Sequence, residues 1–459
     1  MMNYQEFLAS KAPKAKPVGV EPGSMPAHLF DFQASCVQFA LRQGRAALFL
    51  DTGLGKTACE LEWSNQAAEA SNGVALILTP LAVARQIEAE GLRWGYDIRV
   101  VREQSDVRRG INVCNYDRLD HLDASAFGAV ALDESSILKA FGGATSRDLI
   151  ASFAGCRFRL AATATPSSND HMELGQHADF LGVMASSEML IRWFINDTST
   201  ASQQWRLKRH GEDAFWDWVA SWSRSAASPE DLGFDGSRFI LPPLEIVRHK
   251  VQAEINAADG SLFAGDVSAT NMHAVKRQTA DERAALVAEL VMAEPDEPWV
   301  IWVDTDYEAD AVMALMKGVA VEVRGSHPVE RKENAIAAFG DGTTRVLVTK
   351  QKITGYGLNW QHCARQAFVG RSFSYEAWYQ AVRRCWRFGQ KRSVIVHIAV
   401  AEGEDQIGRV IDRKADGHDR MKRAMANAMR RANETASAVK VPYIPSYAAR
   451  IPKWLHSCA

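Results

Sequence analysis

A chain of 459 residues, 47% hydrophobic and 24% charged, is longer than one core usually organises, so two or three domains are expected. No run approaches the ~18 apolar residues of a membrane span, and the first 19 residues lack the apolar core of a signal peptide, which predicts a soluble, cytoplasmic protein. The net charge of −2 hides an asymmetry: from Arg371 onward 17 Lys/Arg stand against 8 Asp/Glu, which suits a polyanionic partner and a solvated helix face equally well.

Residues 1–24 interleave Lys, Ala and Pro and read as a loose leader. A helical pattern starts near Phe32, runs through Val37 and Leu41, and leads into the apolar run Ala46-Ala47-Leu48-Phe49-Leu50, a buried strand. Further short apolar strands are predicted at 74–79, 98–101, 111–115, 129–132 and 159–163, with a helix at 81–91. Such alternation implies a doubly wound parallel sheet covered on both faces, a first lobe spanning 25–180.

Residues 181–290 interrupt the pattern as an insertion or bridge. The stretch is rich in tryptophan (Trp193, Trp205, Trp216, Trp218, Trp222) and carries Arg206, Lys208, Arg209 and His210. Two readings stand: a helical subdomain whose indoles fill its own core, or an element that grips nucleic acid. Alternation resumes with strands at 299–303, 320–323, 345–349, 366–369 and 394–400 and helices at 308–316, 330–339 and 375–387, a second α/β lobe over 291–402. Residues 403–459 read as a basic helix, with Met421, Met425 and Met429 as a packing stripe, followed by an extended Pro/Tyr-rich end. The seven cysteines (Cys36, Cys59, Cys114, Cys156, Cys363, Cys385, Cys458) are scattered, with no zinc or disulfide pattern, and are read as reduced, mostly buried thiols.

The segment Asp51-Thr52-Gly53-Leu54-Gly55-Lys56-Thr57 comes after a predicted buried strand and opens a predicted helix. Glycines there let backbone N–H groups turn onto phosphate oxygens. Lys56 can reach the β- and γ-phosphates, and Thr57 can offer a hydroxyl to Mg²⁺. Leu50 stands where the long form of this motif has its first glycine. A later apolar strand ends in Asp133-Glu134-Ser135-Ser136. Adjacent carboxylates at a buried strand end need a cation or solvent, so Asp133 is a candidate for the Mg²⁺ shell and Glu134 for orienting and deprotonating a water.

Together with Thr79-Pro80, Thr163-Ala164-Thr165-Pro166, the run Thr354 to Asn359 and Gln380 to Gln390, these segments stand in one order. In that order the chain resembles the helicase superfamily of DEAD/DEAH enzymes, within it the Swi/Snf-like branch, and is similar to compact helicase-like proteins of bacteriophages and mobile elements. The resemblance implies two RecA-like lobes with a helical Trp-rich insertion and a basic C-terminal helix, and an ATP- and Mg²⁺-dependent, DNA-stimulated ATPase. It further implies a monomeric translocase on double-stranded or branched DNA, in a bacterial or phage-infected cell.

By the same resemblance Gln33 reads adenine, and Gly53, Gly55, Lys56 and Thr57 hold phosphates and metal. Thr79, Thr163, Thr165, Gly355, Gly357 and Asn359 meet nucleic acid or couple it to hydrolysis, and Arg384 and Arg387 act as arginine fingers. Ser135-Ser136 departs from the family's usual residues after the acid pair, and Gly370 stands where many relatives carry an acid. An RNA helicase and a helicase-like switch subunit of a recombination or defence complex are the alternatives.

Overall fold

In the central strands, successive residues face opposite sides and both sides are apolar. In β1 (Arg45–Leu50), Ala46, Leu48 and Leu50 enter one core while Ala47 and Phe49 enter another. β2 (Val74–Thr79) does the same, with Ala75 and Ile77 against Leu76 and Leu78. A strand buried on both faces needs helices on both, which is the parallel α/β arrangement. The computed structural model, which describes residues 13–80, 83–139, 143–167, 170–197, 204–251, 276–354, 358–401 and 405–438, shows two such sheets.

The first sheet adds β3 (Ile98–Val100), β4 (Gly110–Asn115), β5 (Ala129–Asp133), β6 (Phe158–Ala162) and β9 (Ser223–Ala226) in the order β3-β4-β2-β5-β6-β1-β9, every pairing parallel. The second holds β10 (Leu244–Val251), β11 (Trp299–Val303), β12 (Ala320–Val323), β13 (Val346–Lys350), β14 (Arg365–Phe368) and β15 (Val394–Ala401), ordered β10-β15-β14-β11-β13-β12 and again parallel. β7 (Phe194–Asp197) and β8 (Gln204–Leu207) form a separate antiparallel pair.

Several expectations need correction. The first lobe does not close near residue 180, because β9 pairs with β1, Leu48 lying opposite Arg224. The tryptophans do not build a core of their own. Trp193, Trp216, Trp218 and Trp222 share the core of Phe49, Leu76 and Leu132, and the Trp222 ring meets Phe49 edge-on at 6.0 Å. These four indoles are packed inward, whereas Arg206, Arg209 and His210 are exposed. β10 and the helix Ala280–Ala293 belong to the second lobe, so among the described residues the link between sheets is 227–243. The leader is anchored at 18–20, where Val18, Gly19 and Val20 donate to the carbonyls of Gln43, Arg42 and Leu41.

The helix Asp405–Ala438 returns to the first lobe, and Met421, Met425 and Met429 enter its core, as the stripe suggested. Part of the basic charge is neutralised within the chain, since Arg431 pairs with Asp217 at 2.7 Å and Lys422 with Asp51 at 2.9 Å. The extended end expected after this helix lies outside the described residues, as does Cys458; the other six cysteines are buried free thiols. Among the described residues no helix is long and apolar enough to cross a membrane.

Candidate nucleotide-binding site

Because all strands of the first sheet run parallel, β1, β2, β5 and β6 deliver their C-terminal loops to one edge, where ligands of such sheets bind. β1 ends at Leu50 and the helix Lys56–Glu69 begins shortly after it. The turn between them depends on two glycines in the left-handed region, Gly53 at φ 94° and Gly55 at φ 77°. A side chain at Gly55 would strike the Gln33 amide, its Cβ lying 2.2 Å from Nε2. Gln33 donates to the Leu54 carbonyl at 2.9 Å and accepts from the Phe30 N–H at 3.0 Å, so its amide braces this glycine turn itself. Lys56 Nζ donates to the Leu50 carbonyl at 3.2 Å and lines the cleft with Thr57.

Asp133 and Glu134 lie at the end of β5, both buried. Glu134 is the single non-glycine among the described residues with positive φ, 53°. Backbone strain of this kind costs about 1–3 kcal/mol and persists where surroundings enforce it. Here the Thr163 hydroxyl donates to the Glu134 carboxylate at 3.3 Å, and the Thr79 hydroxyl donates to Asp133 at 2.8 Å. Burial, with Glu134 beside it, pushes the Asp133 carboxyl up to about 7 against the opposing pull of Thr79, Lys56 and Arg384. Glu60, one turn into the same helix as Lys56, is fully buried, and neither carboxylate oxygen has a hydrogen-bond partner among the described residues. Burial and the neighbouring Asp133 push it well up.

The second lobe closes the cleft. Asn359, Arg384 and Arg387 line it opposite Lys56, Asp133 and Glu134. The approach is close: a Cβ on Gly53 would lie 2.8 Å from the Phe388 backbone nitrogen. The helix expected to carry both arginines ends at Val382, and 383–388 instead turn toward the first lobe. The arginines differ in their engagement. Arg384 is buried and donates to the Gln380 carbonyl and side chain and to the Leu358 carbonyl, at 2.9, 2.7 and 3.2 Å. Arg387 gives one bond to the Leu358 carbonyl at 3.0 Å, and its Nε has no partner among the described residues. Burial, with Arg384 close by, pulls its guanidinium down to about 9.

Of the residues expected to meet nucleic acid or couple it to hydrolysis, Thr79 and Asn359 face the acid pair and its cleft. Thr79 is fully buried with its hydroxyl spent on Asp133, so it serves the acid pair. Asn359 lines the cleft shared with Lys56, Asp133 and Glu134, its Oδ1 without a partner among the described residues. Gly355 and Gly357 lie outside the described residues. Thr163 and Thr165 form a relay between lobes. Thr163 reaches Glu134, its oxygen accepts from the Thr165 N–H at 3.2 Å, and the Thr165 hydroxyl donates to Glu376 of the second lobe at 3.0 Å. Lys139 pairs with the other Glu376 oxygen at 3.1 Å.

Ser135 reaches His177 at 3.2 Å, a partner within the first lobe. Gly370 is small because a Cβ there would lie 2.2 Å from the Glu308 carboxylate, which pairs with buried Arg283.

Sequence reasoning missed Glu60, Gln86, Glu90 and Trp94, which line or underlie the cleft, and Asp51, which bridges the lobes. Glu60 had one visible signal: a charge four residues after Lys56 on a helix whose neighbours are apolar. Neither the protein-family models nor the curated proteins contain a match to this chain.

Proposed function

We propose that the chain is an ATP hydrolase with two RecA-like lobes that couples turnover to movement along double-stranded or branched DNA. One observation carries this reading. Lys56, Asp133 and Glu134 of one lobe share a cleft with Arg387 of the other, and the second lobe's backbone touches the phosphate loop at Gly53. A guanidinium held by a separate body stabilises charge on a transferring phosphoryl group only while the bodies are closed, which ties hydrolysis to lobe placement.

The residues present fit a Mg²⁺–nucleotide. Glu60, Asp133 and Glu134 are buried together, with Lys56 and Arg384 as offsetting cations, and the Glu60 oxygens are unpartnered among the described residues. Such a group of acids calls for a further cation. Thr57 and Asp133 would hold it, and bound metal would supply charge neutralisation at the phosphates. Glu134, fixed by Thr163, is placed to orient and deprotonate a water, and the Thr163–Thr165–Glu376 relay links that carboxylate to the second lobe.

Protons and metal then compete for Asp133. The unfolded carboxyl titrates near ~3.9, so between about pH 4 and 7 the native state holds a proton that the unfolded chain has lost. The stability this proton contributes is complete below that window and is lost as pH rises through about 7. Binding of Mg²⁺–nucleotide should therefore strengthen from about pH 6 to 8 and release a proton, read as buffer-dependent heat in calorimetry. The release should diminish in Asp133→Asn. Equal release in wild type and variant would remove Asp133 from the metal site.

For the polyanion, Arg85, Arg102 and Arg118 line a cleft of about 360 Å³ between the lobes, facing Glu330 and Glu333, with Arg85 paired to Glu333 at 3.1 Å; Arg99 and Arg108 lie beside it together with Glu88 and Asp106. Among the described residues neither Arg102 nor Arg118 has an ion pair. Guanidinium groups of this kind suit phosphates and carry no base readout. Binding of a fluorescent random-sequence duplex should weaken with a log–log salt slope of several, as phosphate contacts release counterions. Affinity indifferent to salt would contradict a phosphate-tracking surface.

A further inference from the structure

Asp51 stands between β1 and the phosphate loop, buried at 4% exposure. Its two oxygens collect donors from three directions. Oδ1 accepts from the Thr52 N–H at 2.6 Å and from the Tyr379 hydroxyl. Oδ2 accepts from Arg383 Nη2 at 3.1 Å and Lys422 Nζ at 2.9 Å, and Lys422 also donates to the Tyr379 oxygen at 3.2 Å. Tyr379 and Arg383 belong to the second lobe, whereas Lys422 lies on the helix packed into the first, between Met421 and Met425. Arg383 is further confined by the Trp386 ring, 4.4 Å from its guanidinium carbon.

The phosphate-loop stretch thus touches the second lobe at two points. Asp51 grips Arg383, and two residues later Gly53 abuts the Phe388 nitrogen. Arg384 and Arg387 lie in the segment between those points and line the nucleotide cleft. Pinning both ends of a short turn fixes the residues between them.

We infer that Asp51 is a positioning residue that holds segment 383–388 in register against the phosphate loop, so that Arg387 meets the transferring phosphoryl group. This rests on the nucleotide-hydrolysis reading. A carboxylate suits the task because it accepts from several donors at once. Burial alone would push Asp51 up, but Arg383 and Lys422, with the Tyr379 hydrogen bond, outweigh it and hold the carboxyl well below the usual range, so the tie persists through neutral and mildly acidic pH. It reaches Arg387 through the backbone.

The test uses the full chain and compares Asp51→Asn, Arg387→Ala and the double variant, with Tyr379→Phe as a milder change that keeps the carboxylate. Three quantities are read: kcat and KM for ATP with saturating duplex DNA, affinity for a fluorescent ADP analogue, and deuterium uptake of 376–390 without nucleotide. Asp51→Asn should lower kcat by about ten- to hundredfold, the loss expected from a displaced reacting group, with analogue affinity within about threefold. Added to Arg387→Ala, it should change kcat by less than about twofold, because both act on one interaction. Uptake in 376–390 should rise, and Tyr379→Phe should move kcat and uptake in the same direction by less. Losses that multiply in the double variant, or unchanged uptake in both single-tie variants, overturn the proposal. A wild type without ATPase activity refutes the hydrolysis reading and Arg387's part in it, whereas the uptake measurement still decides whether Asp51 holds the segment.

Discussion

Lys56→Ala is expected to abolish nucleotide hydrolysis at saturating ATP and DNA, a loss of at least about two to three orders of magnitude, while the protein stays folded. Lys56 comes directly after Gly55, whose φ of 77° turns the chain into the helix, and it lines the cleft with Asp133 and Glu134. Among the described residues no other lysine lines that cleft. Its one hydrogen bond, to the Leu50 carbonyl at 3.2 Å, contributes about 0.5–1.5 kcal/mol to stability. The helix it opens keeps its buried face, including Ala58, Leu61 and Trp63. Turnover and melting temperature should therefore separate, the first collapsing and the second moving by a few degrees. Wild-type turnover in the variant would dismiss the phosphate-loop assignment.

Arg387→Ala carries the second large effect, a fall in DNA-stimulated turnover of about two to four orders of magnitude with nucleotide affinity nearly kept, as when a transition-state guanidinium is lost. Arg387 is the better placed of the two arginines in the cleft. Arg384 spends three hydrogen bonds on Gln380 and Leu358, so its loss should disturb the second lobe as well as the cleft. Arg387 holds one, and its guanidinium is already pulled down to about 9 by burial beside Arg384, a penalty that phosphate charge would relieve. Lysine should substitute poorly, since it lacks the planar fork that meets two oxygens. Steady-state kinetics with a thermal melt decides between roles. A variant that keeps its rate and loses stability would make Arg387 part of the fold.

The sequence was most legible where a strand is buried on both faces. β1, β2, β5 and β11 are near-continuous apolar runs, and their positions match the expected ones within a residue. β9 escaped because Ser223, Arg224, Ser225 and Ala226 carry no apolar run; pairing with β1 and packing against Met429 bury all of them but Arg224, which is half-buried. β10 escaped because, as the edge of the second sheet, it alternates between partly buried and exposed residues. The helix predicted through residue 387 stops at Val382 because tertiary contact prevails over propensity: 383–388 must turn to meet Asp51 and Gly53.

The same division holds at the site. Lys56, Thr57, Asp133, Glu134 and Arg387 were legible since each sits in a local string, and the fold brings them to one cleft. Thr79 also sits in such a string, yet a string cannot tell whether a hydroxyl faces solvent or the neighbouring strand, and here it faces Asp133. The tie among Asp51, Tyr379, Arg383 and Lys422 joins positions 328 to 371 apart, and nothing in a single sequence marks such a set.

The most direct test of the central proposal is the steady-state ATPase rate of the full chain without nucleic acid and with duplex DNA, forked DNA, single-stranded DNA or duplex RNA. A low basal rate is expected, which random-sequence duplex or forked DNA raises by an order of magnitude or more, with Arg387→Ala abolishing the stimulation. Stimulation by RNA alone, or a rate that no nucleic acid changes, would contradict that proposal.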